Sequence, residues 1–221
     1  MSLLNWTLSA TGVQVMTDTL ATDFDGSPMK FVAKVFAIPH LDLIVGGTGF
    51  HEIIMGWQHL LMSAAPGLSI DDLDDMAARA LPIIWRDLFP LGDEDHLSTI
   101  RHWGWSPKEQ RFVGRSYRSR DGFAPEPMPD RMAFQPDPLP EHQGIQLESF
   151  DQLVEIALGQ QRHGLADEPG KQTFIGGDLL TFEMSKAEDG PVVTSISKSA
   201  RFADFEAHMA GVREHLGWPE N

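Results

Sequence analysis

The chain has 221 residues, a length that suits one large domain and buries a core without disulfide or metal staples. Hydrophobic residues make up 42% with 20 glycines, which excludes general disorder; 17 basic against 32 acidic side chains leave a formal charge of -15, which argues against nucleic acid and anionic membrane as partners. Cysteine is absent, which removes thiolate nucleophiles, disulfides and Cys-based zinc or iron-sulfur sites.

Residues 2–49 read as four consecutive strands, Leu3 to Ala10, Val13 to Phe24, Lys30 to Pro39 and Leu41 to Gly49, punctuated by Thr11-Gly12, Asp25-Gly26-Ser27-Pro28 and Pro39-His40. Ile53, Ile54, Trp57, Leu60 and Leu61 then recur at helical spacing, and Pro66-Gly67 stops that helix. Ser69 caps a second helix that runs to Phe89, with Asp71, Asp72, Asp74 and Asp75 as a solvated, dipole-compatible start and Pro82 as a candidate kink. After the acidic turn Gly92 to Asp95, Leu97 to Trp105 and Arg111 to Phe123 form a hairpin around Ser106-Pro107-Lys108-Glu109. Six prolines between 124 and 140 exclude a helix or central strand and predict an extended excursion over 124–148. Ser149 begins a third helix to His163, Thr173 to Ser185 and Val192 to Phe202 make a last hairpin, and Ala203 to Leu216 is a helix ended by Gly217.

Long hairpin strands with helices inserted between them predict an α+β fold over residues 1–221, a single domain. Its architecture is a four-layer αββα sandwich of two antiparallel sheets. No apolar run reaches the ~18 residues of a membrane span. The first basic residue is Lys30, so the charged start of a secretory signal is not expected. A soluble, cytoplasmic protein without membrane partners is the expectation.

Lys34 stands in a strand that is apolar on both faces, where a lone ammonium pays a desolvation penalty unless a carboxylate compensates. Asp18 is the only acidic residue between Val13 and Thr22, so an Asp18–Lys34 pair is predicted. Thr17-Asp18-Thr19-Leu20-Ala21-Thr22, Lys30-Phe31-Val32-Ala33-Lys34-Val35 and Ile44-Val45-Gly46-Gly47-Thr48-Gly49 together resemble the opening of proteasome β-type subunits and the related bacterial proteasome-like protease. Those proteins belong to the N-terminal-nucleophile hydrolase superfamily, and the resemblance implies the same αββα sandwich.

Measured back from Asp18 and Lys34, the family's nucleophile position falls on Ser2. The resemblance implies that removal of Met1 frees a serine whose hydroxyl attacks and whose α-amine accepts the proton, with Lys34 and Asp18 tuning both. Backbone N–H groups of Gly46 and Gly47 are the implied oxyanion hole. The implied activity is peptide or small-amide hydrolysis without cofactor or metal. The alternative is a catalytically inactive, proteasome-like homo-oligomer with a structural or binding role. The nine histidines lack compact ligand spacing, so no metal site is expected. Arg101, Arg111, Arg115, Arg118 and Arg120 concentrate in one hairpin, where an oligomer contact is the simplest expectation and an anionic ligand the other.

Overall fold

A computed structural model describes residues 3–23, 25–90, 97–138, 150–166 and 173–218. In chain order the strands are β1 (Leu4–Ser9), β2 (Gly12–Asp18), β3 (Leu20–Thr22), β4 (Pro28–Phe31), β5 (Val35–Ile38) and β6 (Leu43–Thr48). Helices α1 (His51–Met62) and α2 (Leu73–Leu88) follow, then β7 (Thr99–Ser106), β8 (Arg111–Arg118), β9 (Pro125–Met128) and β10 (Met132–Ala133). Helix α3 (Phe150–Ala166), β11 (Asp178–Lys186), β12 (Val192–Arg201) and α4 (Phe205–Leu216) complete the described chain.

Two five-stranded antiparallel sheets result, ordered β10-β1-β2-β11-β12 and β5-β6-β7-β8-β9, with β3-β4 as a separate ribbon. Strand alternation explains why they stack. Leu4, Trp6, Leu8, Val13, Val15 and Phe182 point from the first sheet toward Val35, Ile44, Trp103 and Phe112 of the second. The opposite face of the second sheet presents Leu43, Val45 and Ile100 to Ile53, Trp57 and Leu61 of α1 and to Leu73, Ala77 and Leu81 of α2. The opposite face of the first sheet presents Leu3, Met16 and Leu179 to Leu153 and Ala157 of α3. Each such side chain contributes about 1.5–3 kcal/mol on burial, so three stacked apolar layers hold four structural layers together. The fold is the expected αββα sandwich.

Three elements differ from the sequence expectation. The two long strands predicted over 13–24 and 30–39 are each broken, at Thr19 and at Val32-Ala33-Lys34, because the chain leaves one sheet to make the β3-β4 ribbon and then enters the other. The breaks lie side by side, and Val32 N–H donates to the Thr19 carbonyl at 2.8 Å. The proline-rich stretch contains two short edge strands: β9 pairs with β8 and β10 with β1, at positions where a missing N–H costs no central ladder bond. Residues 139–148 of that stretch, like the turn at Gly92 to Asp95, lie outside the described residues.

The acidic helix start is more than a solvated turn. Asp72 accepts from both the N–H and hydroxyl of Ser69 at 2.9 Å, while Asp71 accepts from Ser106 Oγ at 2.8 Å and Asp74 from Tyr117 Oη at 2.8 Å. Arg115 also reaches Asp74 at 3.2 Å, and Arg118 reaches Glu126 at 2.8 Å, so these hairpin arginines serve contacts within the chain.

The core between α1 and β7 holds a buried histidine. Trp57 Nε1–H donates to His102 Nε2 at 2.6 Å, with the two rings nearly parallel at 6°. Burial, reinforced by the Arg115 charge, pushes the imidazole from 6.5 down to about 3. The unfolded chain therefore binds a proton that the folded chain refuses between those values, so stability falls as pH drops through that window. From pH 7 to pH 5 the loss from this group is about 2 kcal/mol. Urea midpoints of His102→Gln should show that much less acid sensitivity than the parent; identical pH slopes would exclude His102 as the source.

Candidate active site

β2 ends on Asp18, where the chain turns out of the first sheet. Its side chain is fully buried. Oδ1 accepts from Lys34 Nζ at 2.7 Å and from the Leu3 N–H at 3.0 Å, and Oδ2 accepts from the Gly176 N–H at 3.2 Å. Lys34 lies in the gap before β5 and is 5% exposed. The pair predicted from sequence thus exists, and it sits at the two strand breaks rather than in mid-strand. Burial pushes the Lys34 ammonium below its usual pKa, against which the Asp18 carboxylate works by charge and hydrogen bond. At the start of α1, His51 is likewise held low by burial and by the ammonium groups of Lys30 and Lys34.

The beginning of the described chain is fastened to this pair. Besides the Leu3 N–H on Asp18, the Leu3 carbonyl accepts from Thr17 Oγ1 at 2.9 Å, and the Leu4 N–H donates to the Gln135 carbonyl at 2.8 Å. One residue further, Asn5 and Gln160 of α3 exchange amide hydrogen bonds at 2.7 and 3.2 Å, and Gln160 also donates to the Pro136 carbonyl. Gln135 Nε2 reaches Thr48 Oγ1 at 3.2 Å and so links the β10 edge to the end of β6. Ser2 itself lies outside the described residues.

Gly46 and Gly47 belong to β6, not to the turn that follows it; the turn is made by Gly49, at φ +101, and Phe50. Both positions need the absence of a side chain. A Cβ on Gly46 would come 2.7 Å from Val35 Cγ2 and 3.3 Å from the Lys34 carbonyl, and one on Gly47 would come 2.4 Å from the Thr99 carbonyl. The ladder between β5 and β6 ends at Val35 and Gly46, whereas the ladder to β7 continues to Thr48 and Thr99. The last residues of β6 therefore pass Lys34 with a ladder neighbour on the β7 side.

A recess at the two strand breaks is lined by Thr19, Phe31, Val32, Ala33, Phe205 and Met209; neither Asp18 nor Lys34 lines it. Phe31 stacks on Phe205 with centroids 5.1 Å apart, which holds α4 on the β3-β4 ribbon. A second recess over Thr7, Ser9, Gln14 and Glu183 lies at the opposite end of β1 and β2.

Sequence inspection identified Asp18 and Lys34 but missed Asn5, Thr48, Gln135, Gln160 and Gly176. Asn5 and Gln160 are 155 positions apart, and nothing short-range in the sequence pairs them.

Comparison with protein families finds no match, and neither does comparison with curated proteins. Among solved structures, Anbu (ancestral beta-subunit) from Yersinia bercovieri matches with a TM-score of 0.54 at 14% identity, over 98% of this chain and 95% of that one. At that identity the likeness is one of fold, and the chain has a proteasome-like αββα fold.

Proposed function

We propose that this chain is an N-terminal-nucleophile amide hydrolase whose nucleophile is Ser2, exposed when Met1 is removed, and whose substrates are peptides or small amides. One observation carries the proposal: the buried carboxylate that holds Lys34 also holds the N–H of Leu3, the residue directly after Ser2. A freed Ser2 would be joined by one peptide bond to a residue whose N–H is hydrogen-bonded to the only ion pair of this kind in the sandwich interior among the described residues.

The chemistry follows from that placement. A freed α-amine has a reference pKa of about 7.7 to 8.0, so at neutral pH a fraction is unprotonated and accepts the Ser2 hydroxyl proton as Oγ attacks the amide carbonyl. Lys34, kept cationic by Asp18, favours the neutral amine and the developing negative charge. The proton then passes from the α-ammonium to the departing amine, leaving an acyl-ester on Ser2. Water, deprotonated by the same α-amine, releases the acid and restores the hydroxyl. The backbone of Gly46 and Gly47 at the end of β6 is the proposed site for the oxyanion.

Intact-mass analysis of untagged protein, before and after exposure to a β-lactone, tests this. The expected result is loss of Met1 and one acyl adduct on Ser2, absent from Ser2→Ala and from Lys34→Ala. Retention of Met1, or an adduct that persists in Ser2→Ala, overturns the proposal and leaves a non-hydrolytic homo-oligomer as the reading of this fold.

A further inference from the structure

The free edges of the two sheets are not alike. β10 is two residues long, β5 is four, and β9 carries Pro125 and Pro127, so three of the four edges are too short or too poor in donors to template another strand. β12 is the exception. It runs ten residues, about 33 Å, without proline or glycine, and it pairs with β11 along one side only. Every second N–H and C=O on its other side points away from the sheet, and no backbone hydrogen bond from another described segment meets residues 192–201.

The middle of the strand is also open on both faces. Val193 and Ile196 point to opposite faces and are 56% and 57% exposed, and Ser195, Ser197 and Lys198 are exposed with them. Phe182 of β11 is buried in the layer between the sheets, whereas Ile196, its ladder neighbour on β12, overhangs that layer. Native proteins blunt or cover a long edge of this composition, and the other edges of this fold are blunted.

Charge selects what covers it. β12 carries Lys198 and Arg201 at its C-terminal end and no acidic residue, while the exposed turn that feeds it carries Glu188 and Asp189. Asp178, one strand inward, anchors Lys198 and Arg201 at 3.5 and 2.7 Å. A second copy laid parallel would set like charge beside like charge. Laid antiparallel, it sets the basic end of each strand against the acidic turn of the other, at both ends of the contact at once. The uninterrupted ladder with β11 runs from Val192 to Lys198 before the irregularity at Ser199, and its midpoint is Ser195. A two-fold axis there sets Ser195 opposite itself, brings both Ile196 side chains to one face on a diagonal, and puts Arg201 alongside Asp189 of the second copy.

We propose that β12 is a self-recognition edge: two copies of this chain pair antiparallel through Val192–Lys198 and fuse two five-stranded sheets into one. The pairing is isologous and closed, so neither β12 is left free for a third copy. It is independent of the Ser2 chemistry.

The chain has no cysteine, so a single introduced thiol reports the contact directly. Under air oxidation Ser195→Cys should form a disulfide-linked dimer, because directly opposed strand residues stand about 4.5–5.5 Å apart between Cα atoms, within disulfide reach. Ser63→Cys, exposed at the end of α1, should stay monomeric on the same non-reducing gel. In the Ser195→Cys background, Lys198→Glu with Arg201→Glu, and separately Glu188→Lys with Asp189→Lys, each oppose like charges and should lose the cross-link. Mixed in equal amounts, the two variants should regain it as a heterodimer identified by intact mass, since each then meets the opposite charge at both ends. A disulfide that forms no faster at 195 than at 63, a cross-link untouched by both reversals, or a mixture without heterodimer overturns the proposal. Should a reversal variant lose the parent's circular dichroism, Glu188→Gln with Asp189→Gln in the exposed turn takes its place and should slow the cross-link; an unchanged rate overturns the proposal.

Discussion

Lys34→Met is expected to destabilise the protein by about 3–5 kcal/mol, because it leaves the fully buried Asp18 carboxylate without its counter-ion. The backbone N–H groups of Leu3 and Gly176 would remain as donors to Asp18 but would not neutralise it. Removing both charges removes that penalty: Asp18→Asn combined with Lys34→Met should recover most of the lost stability, since a buried ion pair replaced as a unit is often close to neutral. Urea unfolding of the two single variants and the double variant forms a complete cycle. A double variant that is as unstable as the sum of the singles would show that the two side chains are not energetically coupled. A stable double variant without acyl transfer would show instead that the pair is retained for chemistry and not for the fold.

Trp57→Ala should cost a comparable amount, about 3–5 kcal/mol, for a different reason. Trp57 is fully buried between α1 and the second sheet, and its truncation opens a cavity bounded by α1, α2 and β7. It also strips His102 Nε2 of its only donor, in a ring whose Nδ1 already lacks a partner among the described residues. Trp57→Phe separates the two contributions, because it retains most of the ring but not the 2.6 Å hydrogen bond, and should cost about 1–3 kcal/mol. Denaturant midpoints that fall equally for Ala and Phe would assign the loss to the hydrogen bond and not to the cavity.

The hairpins, the helices and the order of elements were legible in the sequence because each is a local signal: strand alternation, a 3.6-residue apolar repeat, a turn dipeptide or a cap. The Asp18–Lys34 pair was legible for a physical reason too, since an ammonium flanked by Val and Phe has to find a carboxylate. What stayed hidden depends on where the chain changes sheets. Nothing within residues 13–24 or 30–39 marks Thr19 or Ala33 as a break, because the residues there have ordinary strand propensity and the interruption is imposed by the separate β3-β4 ribbon. The proline-rich stretch was correctly denied a central strand, but its edge pairing with β8 and β1 depends on two sheets being in place first. Arg101 was visible only as one arginine of several; its contact with the Trp6 ring is a product of stacking.

The strap formed by β9 and β10 has a mechanical consequence. It is hydrogen-bonded to the rim of the second sheet at Tyr117 through Gly114 and, within four residues of leaving it, to the rim of the first sheet at Trp6 and Thr7. Sliding of one sheet across the other would have to tear one of these seams, since so short a tether has no slack to take up the travel. The two halves of the sandwich are thereby clamped in alignment at the border nearest Leu4, and the mutual placement of groups contributed by opposite halves, Lys34 and Asp18 among them, is insulated from shear.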